Sequence, residues 1–312
     1  MKFMKYFDLH CDTPTRMLDE SQGLYHNSLH VSLEKSERFG SYAQIMAVWT
    51  NHNLSDADGY KRFFAVAENL HREINSNSDK VTLIKTSEEL ENTLSSNKVA
   101  LILSVEDARI LQNDLARLKV LHSFGVRTLT LNWYGETCIG GAHDTTGGLT
   151  DFGKNVVKKC FELGITPDIS HSSFKGAMDT IELAFKANKP IIASHSDSYS
   201  VNPHSRNLRD EDLASIIRLK GLVGINLCPL HLSDSNADMH DVLLHIEHYL
   251  SLGAQDILAM GCDLDGTALP QGFTSVTDIS KIADEMAKIN YTDELIEKIM
   301  YKNAYNFFKI NL

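Results

Sequence analysis

The stretch Phe7-Asp8-Leu9-His10-Cys11-Asp12-Thr13-Pro14 joins a short apolar run to a His-x-Asp motif and then to a turn. If the run is a β-strand, successive side chains point to opposite faces, so His10 and Asp12 share one face and Cys11 takes the other. An imidazole and a carboxylate side by side at a strand end form half of a metal site. The alternative is that Asp12 caps the following segment and that His10 is an ordinary polar residue.

Short apolar segments of this kind recur along the chain, and helical segments separate them. Besides the opening stretch, strands are predicted at residues 42–49, 99–105, 127–133, 165–171, 190–195, 222–227 and 256–263, with a small extra strand at 81–84. Helices are predicted at residues 58–76, 115–124, 151–163, 173–187, 210–219, 239–252, 278–289 and 292–309, and another begins at 87.

This alternation predicts a parallel sheet with helices outside it. Eight strand–helix units in a chain of this length predict an α/β fold of the (β/α)8 TIM-barrel type, with residues 1–312 forming a single metal-dependent hydrolase barrel domain. The alternative is a doubly wound open sheet. It is disfavoured because no glycine-rich phosphate-binding turn follows the first strand.

Composition excludes several classes of function. The chain has 312 residues, is 43% hydrophobic and carries a net charge of -11, which argues against a partner such as nucleic acid or an anionic membrane. Its five cysteines include no C-x-x-C pair, so reduced thiols are predicted. We find no signal-peptide core and no apolar run of about 18 residues that would span a bilayer. A cytoplasmic protein is therefore expected.

Metal-binding types of residue stand at the ends of several predicted strands. In chain order they are His10, Asp12, Glu106, His171, His195 and Asp263. The strand ends of a (β/α)8 barrel open onto one face, where active sites lie, so these residues should converge. Imidazole and carboxylate groups are ligands that zinc accepts. Each residue alone could be a hydrogen-bonded structural group or a helix cap, but that does not explain their shared position at strand ends.

Six ordered blocks of sequence carry a resemblance to a known family. They are Asp8-Leu-His-Cys-Asp-Thr-Pro14, Ser104-Val-Glu106, Asp168-Ile-Ser-His171, Ala193-Ser-His195-Ser196, Ser205-Arg-Asn-Leu-Arg-Asp210 and Gly261-Cys-Asp-Leu-Asp-Gly266. Over nearly its whole length the chain resembles the membrane dipeptidase (renal dipeptidase) family of binuclear zinc peptidases, which have amidohydrolase-like barrels.

The resemblance implies a role for each candidate residue. It implies two Zn²⁺ ions, one bound by His10 and Asp12, the other by His171 and His195, with Glu106 bridging both. It further implies Asp263 as an acid/base that is not a ligand and Arg206 as the group that binds the carboxylate of a small dipeptide. A homodimer is also what the family suggests.

The substrate site departs from the family pattern at two positions. Trp133, at the end of the fourth core strand, stands where well-known dipeptidases carry a substrate-binding histidine. Cys228 stands where some members place a tyrosine. We predict Trp133 and Asn207, together with Arg206, as substrate-binding residues. The glycine-rich loop 135–148, with His143 and Asp144, is a candidate lid.

The predicted function is hydrolysis of dipeptides by a zinc metallopeptidase. Two metals about 3.5–4 Å apart lower the pKa of a shared water, which supplies a bridging hydroxide for attack on the peptide carbonyl. Asp263 would carry the water's proton to the leaving amine. Two alternatives stay open. One is hydrolysis of another amide, a lactam or an N-acyl amino acid, and the other is a non-catalytic metal-binding barrel.

Overall fold

The computed structural model describes residues 4–312. Within this part of the chain nine β-strands form one sheet in which every pairing is parallel. Strands β1 to β9 lie at Lys5–Cys11, Ser41–Trp49, Val81–Leu83, Val99–Glu106, Val126–Thr130, Thr166–Asp168, Ile192–Ala193, Leu222–Ile225 and Leu258–Met260.

Eight of these strands close into a barrel. The closure follows from two sets of pairings: β1 pairs with β9 and β2, and β2 pairs with β4. The short β3 pairs only with the first residues of β4, Val99–Leu101, whereas β5 pairs with the later ones from Leu103. The predicted (β/α)8 TIM barrel is therefore confirmed, and the open-sheet alternative is excluded.

Helices surround the barrel. Within the described residues, α1 to α13 lie at Thr13–Asp19, Leu33–Ser36, Asp56–Ser76, Ser87–Ser95, Ala116–Phe124, Asp151–Leu163, Phe174–Ala187, Asp210–Leu219, Pro229–Leu232, Met239–Ser251, Ser280–Lys288, Asp293–Glu297 and Asn303–Asn311. The predicted final helix at 292–309 corresponds to α12 and α13, which the π-helical segment Lys298–Lys302 joins. None of the helices is both long enough and apolar enough to cross a membrane.

Local signals explain where two of these helices begin. Thr86 caps α4 through a capping box with Glu89, one residue before the predicted start. Asp12 occupies the N-cap position of α1, and Pro14 lies in its first turn, yet the Asp12 side chain makes no capping hydrogen bond. The carboxylate of Asp12 is therefore available for another purpose.

The barrel interior is closed at one end by the last helix. Inward-facing strand residues such as Phe7 and Leu9 form an apolar cluster with Phe307 and Phe308 of α13, and the rings of Phe7 and Phe308 stack at 5.4 Å. The side-chain amide of Asn303 donates to the carbonyl of Leu258, at the start of β9. Because α13 covers the amino ends of the strands, a functional site would lie at the opposite end of the barrel, where the strands have their carboxyl ends.

Candidate active site

The end of β1 reaches the barrel mouth through a β-bulge. Its register with β2 runs from Lys5 opposite Ser41 to Asp8 opposite Gln44, but Cys11 then lies opposite Met46. The extra residue shifts the alternation by one position. Consequently the Cys11 thiol lies against the Met46 sulfur at 3.3 Å in the outer core, on the face away from His10 and Asp12.

A buried carboxylate holds this bulge. Asp8 Oδ1 accepts hydrogen bonds from the backbone N–H of His10 at 2.9 Å and from the Gln44 amide at 3.2 Å. The backbone N–H of Cys262, at the end of β9, lies 3.3 Å from both oxygens, and the Tyr6 hydroxyl donates to Oδ2. Asp8 thus positions the backbone N–H groups of His10 and of Cys262, the residue immediately before Asp263.

A second buried carboxylate organises the ends of β6 and β7. Asp168 Oδ1 accepts the backbone N–H groups of Ser170 and Ser194, both at 2.9 Å. Asp168 Oδ2 accepts the hydroxyls of Thr130 and Ser194, both at 2.6 Å. With four donors aimed at it, this carboxylate acts only as an acceptor.

That arrangement determines the tautomer of His195. The single hydroxyl proton of Ser194 is donated to Asp168, so the Ser194 oxygen must accept from His195 Nδ1, which lies 2.7 Å away. The neutral ring then carries its only proton on Nδ1 and directs the lone pair of Nε2 into the site. This is the arrangement that metal-binding histidines adopt.

Glu106 lies at the centre of the converging side chains. Its Oε1 is 2.8 Å from His171 Nε2 and 3.5 Å from His195 Nε2, and its Oε2 is 3.5 Å from His10 Nε2. Asp12 Oδ1 and Asp263 Oδ1 each lie 3.9 Å from His10 Nε2. All six residues predicted from strand ends therefore meet at one place, at the carboxyl ends of strands that are distant in sequence.

The donor set suits a metal centre. Three groups bring ligand atoms within 4.8 Å of one another: His10, Asp12 and Glu106; Glu106, His171 and His195; and His10, His195 and Asp263. Among the described residues, the buried atoms His10 Nε2 and Asp12 Oδ1 have no hydrogen-bond partner. Because Asp263 also falls in one group, proximity alone does not separate ligands from an acid/base.

The pKa values of the clustered carboxylates and of His10 also indicate a site for a cation. Burial raises the pKa of Asp12, and Glu106 raises it further. Burial raises the pKa of Asp263 to about 6. Burial alone would lower the pKa of His10, but Glu106 and the two aspartates outweigh this effect and raise the pKa to about 10. Carboxylates packed this closely repel one another, and bound metal ions would relieve that repulsion.

The other two histidines are neutral at pH 7. Burial lowers the pKa of His171 to about 4, and the positive charge of Arg206 contributes. Burial, with help from His10, lowers the pKa of His195 well below its usual value. A neutral imidazole is the form that binds a metal ion.

Two of the converging residues have unusual backbone conformations. His171 and Asp263 adopt left-handed φ angles of 65° and 56°. Such conformations in non-glycine residues cluster at functional sites. Gly266 follows closely: a Cβ atom there would lie 2.2 Å from Asp263 Oδ1 and 2.3 Å from Asp12 Oδ2. A side chain at position 266 would displace both carboxylates.

A cavity of about 410 Å³, the active-site cavity, opens above these residues. Trp133 lies in its wall, with its ring 5.1 Å from that of Trp49 and 5.2 Å from that of His52. Cys228 also lines the cavity. Its volume suits a small ligand of roughly dipeptide size.

Arg206 and Asn207 lie in the loop after β7 but differ in their surroundings. Arg206 is buried, lines the active-site cavity, and donates from Nη2 to the His195 carbonyl at 3.2 Å. Asn207 donates from its side chain to backbone carbonyls of Asn202 and His231, and lines a neighbouring cavity rather than this one. Its immediate contacts are therefore within the protein loops.

Several lining residues were not predicted from the sequence. Trp49 ends β2, His204 lies in the loop after β7, and His231 lies in the short helix α9 after β8. The only sequence feature that marks these residues is that each ends or follows a strand. Many other residues do so, and this feature alone therefore does not select them. His143, from the candidate lid loop, also lines the cavity, and its Nδ1 lies 2.9 Å from the Ser205 hydroxyl.

Asp265 has a different role from the helix cap that its position after the last core strand suggests. Its carboxylate accepts hydrogen bonds from the Thr13 hydroxyl at 2.5 Å and from the His30 backbone N–H at 2.6 Å. It therefore ties the loop after β9 to the segments that follow β1.

The family of the chain follows from comparison with known proteins. The model of the membrane dipeptidase family, peptidase family M19, matches residues 1–310. The chain belongs to this family. Its match to an uncharacterized dipeptidase of Schizosaccharomyces pombe is 32% identical over 225 residues, and covers 68% of this chain and 53% of that protein. The chain thus spans about half the length of this relative.

Solved structures of the family have the same fold. The metallopeptidase dipeptidase AC superimposes with a TM-score of 0.92 at 26% identity, covering 99% of both chains. A metallopeptidase of Rhodobacter sphaeroides, solved with a phosphinate mimic of the dipeptide L-Ala-D-Ala, superimposes with a TM-score of 0.90 at 24% identity, covering 99% of this chain and 100% of that one. Family membership and the dipeptidase relatives support a metal-dependent dipeptidase activity.

Proposed function

We propose that this chain is a zinc dipeptidase that hydrolyses small dipeptides at a two-metal centre. The observation that carries the proposal is the convergence of three imidazoles and two carboxylates around Glu106, with buried ligand atoms that have no protein partner within residues 4–312. His10 and Asp12 would hold one ion and His171 and His195 the other, with Glu106 shared between them. When bound, two zinc ions supply Lewis acidity and an activated water nucleophile.

The remaining residues would handle the proton and the substrate. Asp263 lies beside the ligands and lines the cavity, so it can accept a proton from the nucleophile and return it to the leaving amine. Asn226, whose amide lies 3.5 Å from Asp263 Oδ2, helps to hold that carboxylate in place.

Arg206 would bind the free C-terminal carboxylate of the dipeptide. Its guanidinium is buried beside the metal ligands, where a charge-assisted contact is stronger than in water. Trp133 would contact a substrate side chain through the aromatic wall that it forms with Trp49. Asn207, through its bonds to loop carbonyls, would support the loop that carries Arg206.

The first experiment combines metal analysis with a panel of L-L and L-D dipeptides. We expect two equivalents of zinc per chain and turnover of some panel members. Asp263→Asn should retain both metals and lose about 10² to 10⁴-fold in kcat, the usual range for general acid–base catalysis. Full activity in this variant would disprove the acid/base role, whereas loss of one metal would identify Asp263 as a ligand.

A second candidate keeps the metal centre and changes the substrate to another amide, a lactam or an N-acyl amino acid. It is favoured by Trp133 and Cys228, which line the active-site cavity where known dipeptidases and some other family members carry histidine and tyrosine. Failure of every dipeptide, together with cleavage of one of these amides at the same metal content, would establish it instead.

A further inference from the structure

A second cavity adjoins the active-site cavity. Its volume is about 380 Å³, and it lies between the loop 135–148, the start of α7 and the loop after β7. The two cavities share His143, His171 and Arg206 as lining residues. The contact between His143 and Ser205 therefore stands in the partition between them.

Four buried polar atoms of residues that line the second cavity have no hydrogen-bond partner in the part of the chain that the structure describes. Three belong to groups that can donate, namely Arg206 Nε, His171 Nδ1 and the Ser172 hydroxyl, and the fourth is the amide oxygen of Asn207. Arg206 is only 5% exposed, so its Nε–H is a fully desolvated donor. When His171 Nε2 faces a metal, the proton of the neutral ring is on Nδ1, which makes this atom a donor as well. Unpaired buried donors are rare and require an acceptor.

The charge around the second cavity is positive. Arg209 lies over the Phe174 ring at 3.8 Å and has no acidic partner among the described residues. Lys175 also lines the cavity and contacts Asp179 at 3.2 Å. Asp212 is the one carboxylate among the lining residues that the structure describes, and burial raises its pKa to about 7. Cations at the rim and unpaired donors inside are the features of an oxyanion site.

We propose that the second cavity binds an oxyanion through Arg209, the unpaired Nε–H of Arg206 and the unpaired donors of His171 and Ser172, while the terminal Nη1 of Arg206 remains for the C-terminal carboxylate. Its position against the metal ligands points to the acidic side chain of the dipeptide's C-terminal residue as the occupant, and this assignment rests on the proposed function. The second source of the same chemistry is a free oxyanion such as phosphate.

The decisive test compares two isosteric substrates, X-Asp and X-Asn, where X is the N-terminal residue cleaved best in the panel and both configurations of the C-terminal residue are used. We expect kcat/KM for X-Asp to exceed that for X-Asn by about tenfold, because hydrogen bonds to a charged group are worth about that much. Arg209→Gln should bring the ratio close to one. Arg218→Gln is the matched control, because Arg218 also lies over a phenylalanine ring, that of Phe185, but outside the cavity.

Equilibrium dialysis of the zinc-loaded enzyme with inorganic phosphate separates the two sources. A ratio near one in the wild type, with one more equivalent of phosphate bound than in Arg209→Gln, would assign the site to a free oxyanion. A ratio near one with equal phosphate binding in both proteins would overturn the inference. If no dipeptide of the panel is cleaved, the proposed function fails, and phosphate binding still decides whether the site exists.

Discussion

A buried aspartate organises the end of β1 and another organises the end of β6, but the two differ in whether their hydrogen bonds reach a histidine ring of the metal site. Asp8 and Asp168 both accept the N–H of the residue two positions later and an N–H from the neighbouring strand end. Asp8 also accepts from the Gln44 amide and the Tyr6 hydroxyl, but none of its partners contacts a ring of the metal-site histidines. Asp168 continues through the Ser194 hydroxyl to the ring of His195.

The difference shows that a buried aspartate can fix the position of the backbone, or can also fix the protonation of a nearby histidine ring. Asp8 requires only that its oxygens accept, whereas Asp168 also sets which nitrogen of His195 carries the proton. His171 differs again, since its Nδ1 has no protein partner within the described residues and the residue lines both cavities. The predictions below test this comparison, beginning with the largest effect.

Removing either carboxylate should strongly destabilise the fold. Asp8→Ala and Asp168→Ala each leave several buried donors without an acceptor, which typically costs about 3–5 kcal/mol in the free energy of unfolding. Chemical denaturation followed by circular dichroism measures this loss. If either variant loses less than about 1 kcal/mol, that carboxylate does not hold its strand ends together.

The conservative substitutions should separate the two aspartates. In Asp168→Asn, an amide nitrogen facing Ser194 reverses that hydrogen bond, so the hydroxyl proton turns to His195 Nδ1 and the ring proton moves to Nε2. Zinc affinity should fall about 10–100-fold, as when other outer partners of metal ligands are changed. Chelator competition measures the affinity, and Asp8→Asn is the matched control with a smaller expected loss.

Ser194→Ala tests the same relay without altering a charge. It removes the acceptor of His195 Nδ1–H, which should weaken zinc binding by about tenfold and cost about 1–3 kcal/mol in the free energy of unfolding, less than either aspartate variant. Ser170→Ala is the control, since Ser170 contacts the same hydroxyl cluster but not the His195 ring. Equal zinc affinity in the two variants would contradict the assigned tautomer.

Because of the bulge in β1, the side chains of Cys11 and Asp12 point to opposite faces of the strand end, and only Asp12 faces the metal site. Asp12→Ala should lower zinc content, whereas Cys11→Ala should leave it at the wild-type value, because Cys11 packs against Met46 on the other face. Metal analysis of the two purified variants measures both. A loss of zinc from Cys11→Ala would place the thiol on the site side of the strand.

A smaller effect belongs to His231, which lines the active-site cavity. Burial, together with Arg206, lowers the pKa of His231 far below its usual value, so the folded protein keeps this ring neutral. Because the unfolded chain takes up a proton below about pH 6.5, the stability contributed by neutral His231 is lost as the pH falls through that value.

His231→Gln should therefore make the unfolding free energy depend less on pH between about 6.5 and 5, by up to about one proton per molecule. Denaturation at a series of pH values measures the slope. An unaltered slope in His231→Gln would mean that this ring is protonated in the folded state.

The sequence by itself determined the barrel and the set of converging residues. Strand–helix alternation is a local property, and strand ends share one face in any (β/α)8 barrel, so His10, Glu106 and His195 could be grouped without coordinates. The division of the last predicted helix and the three short helices α1, α2 and α9 were missed, because tertiary packing outweighs weak local signals there.

Only the tertiary structure decided the arrangement around those residues. The β1 bulge depends on an Asp8 contact with Cys262, 254 positions away, and the tautomer of His195 depends on Asp168 across two strands. Likewise, the second cavity exists because separate loops place Arg206, Arg209 and His171 around one space. Hydrogen bonds and cavities of this kind depend on distances between remote segments, which a linear pattern of residues does not contain.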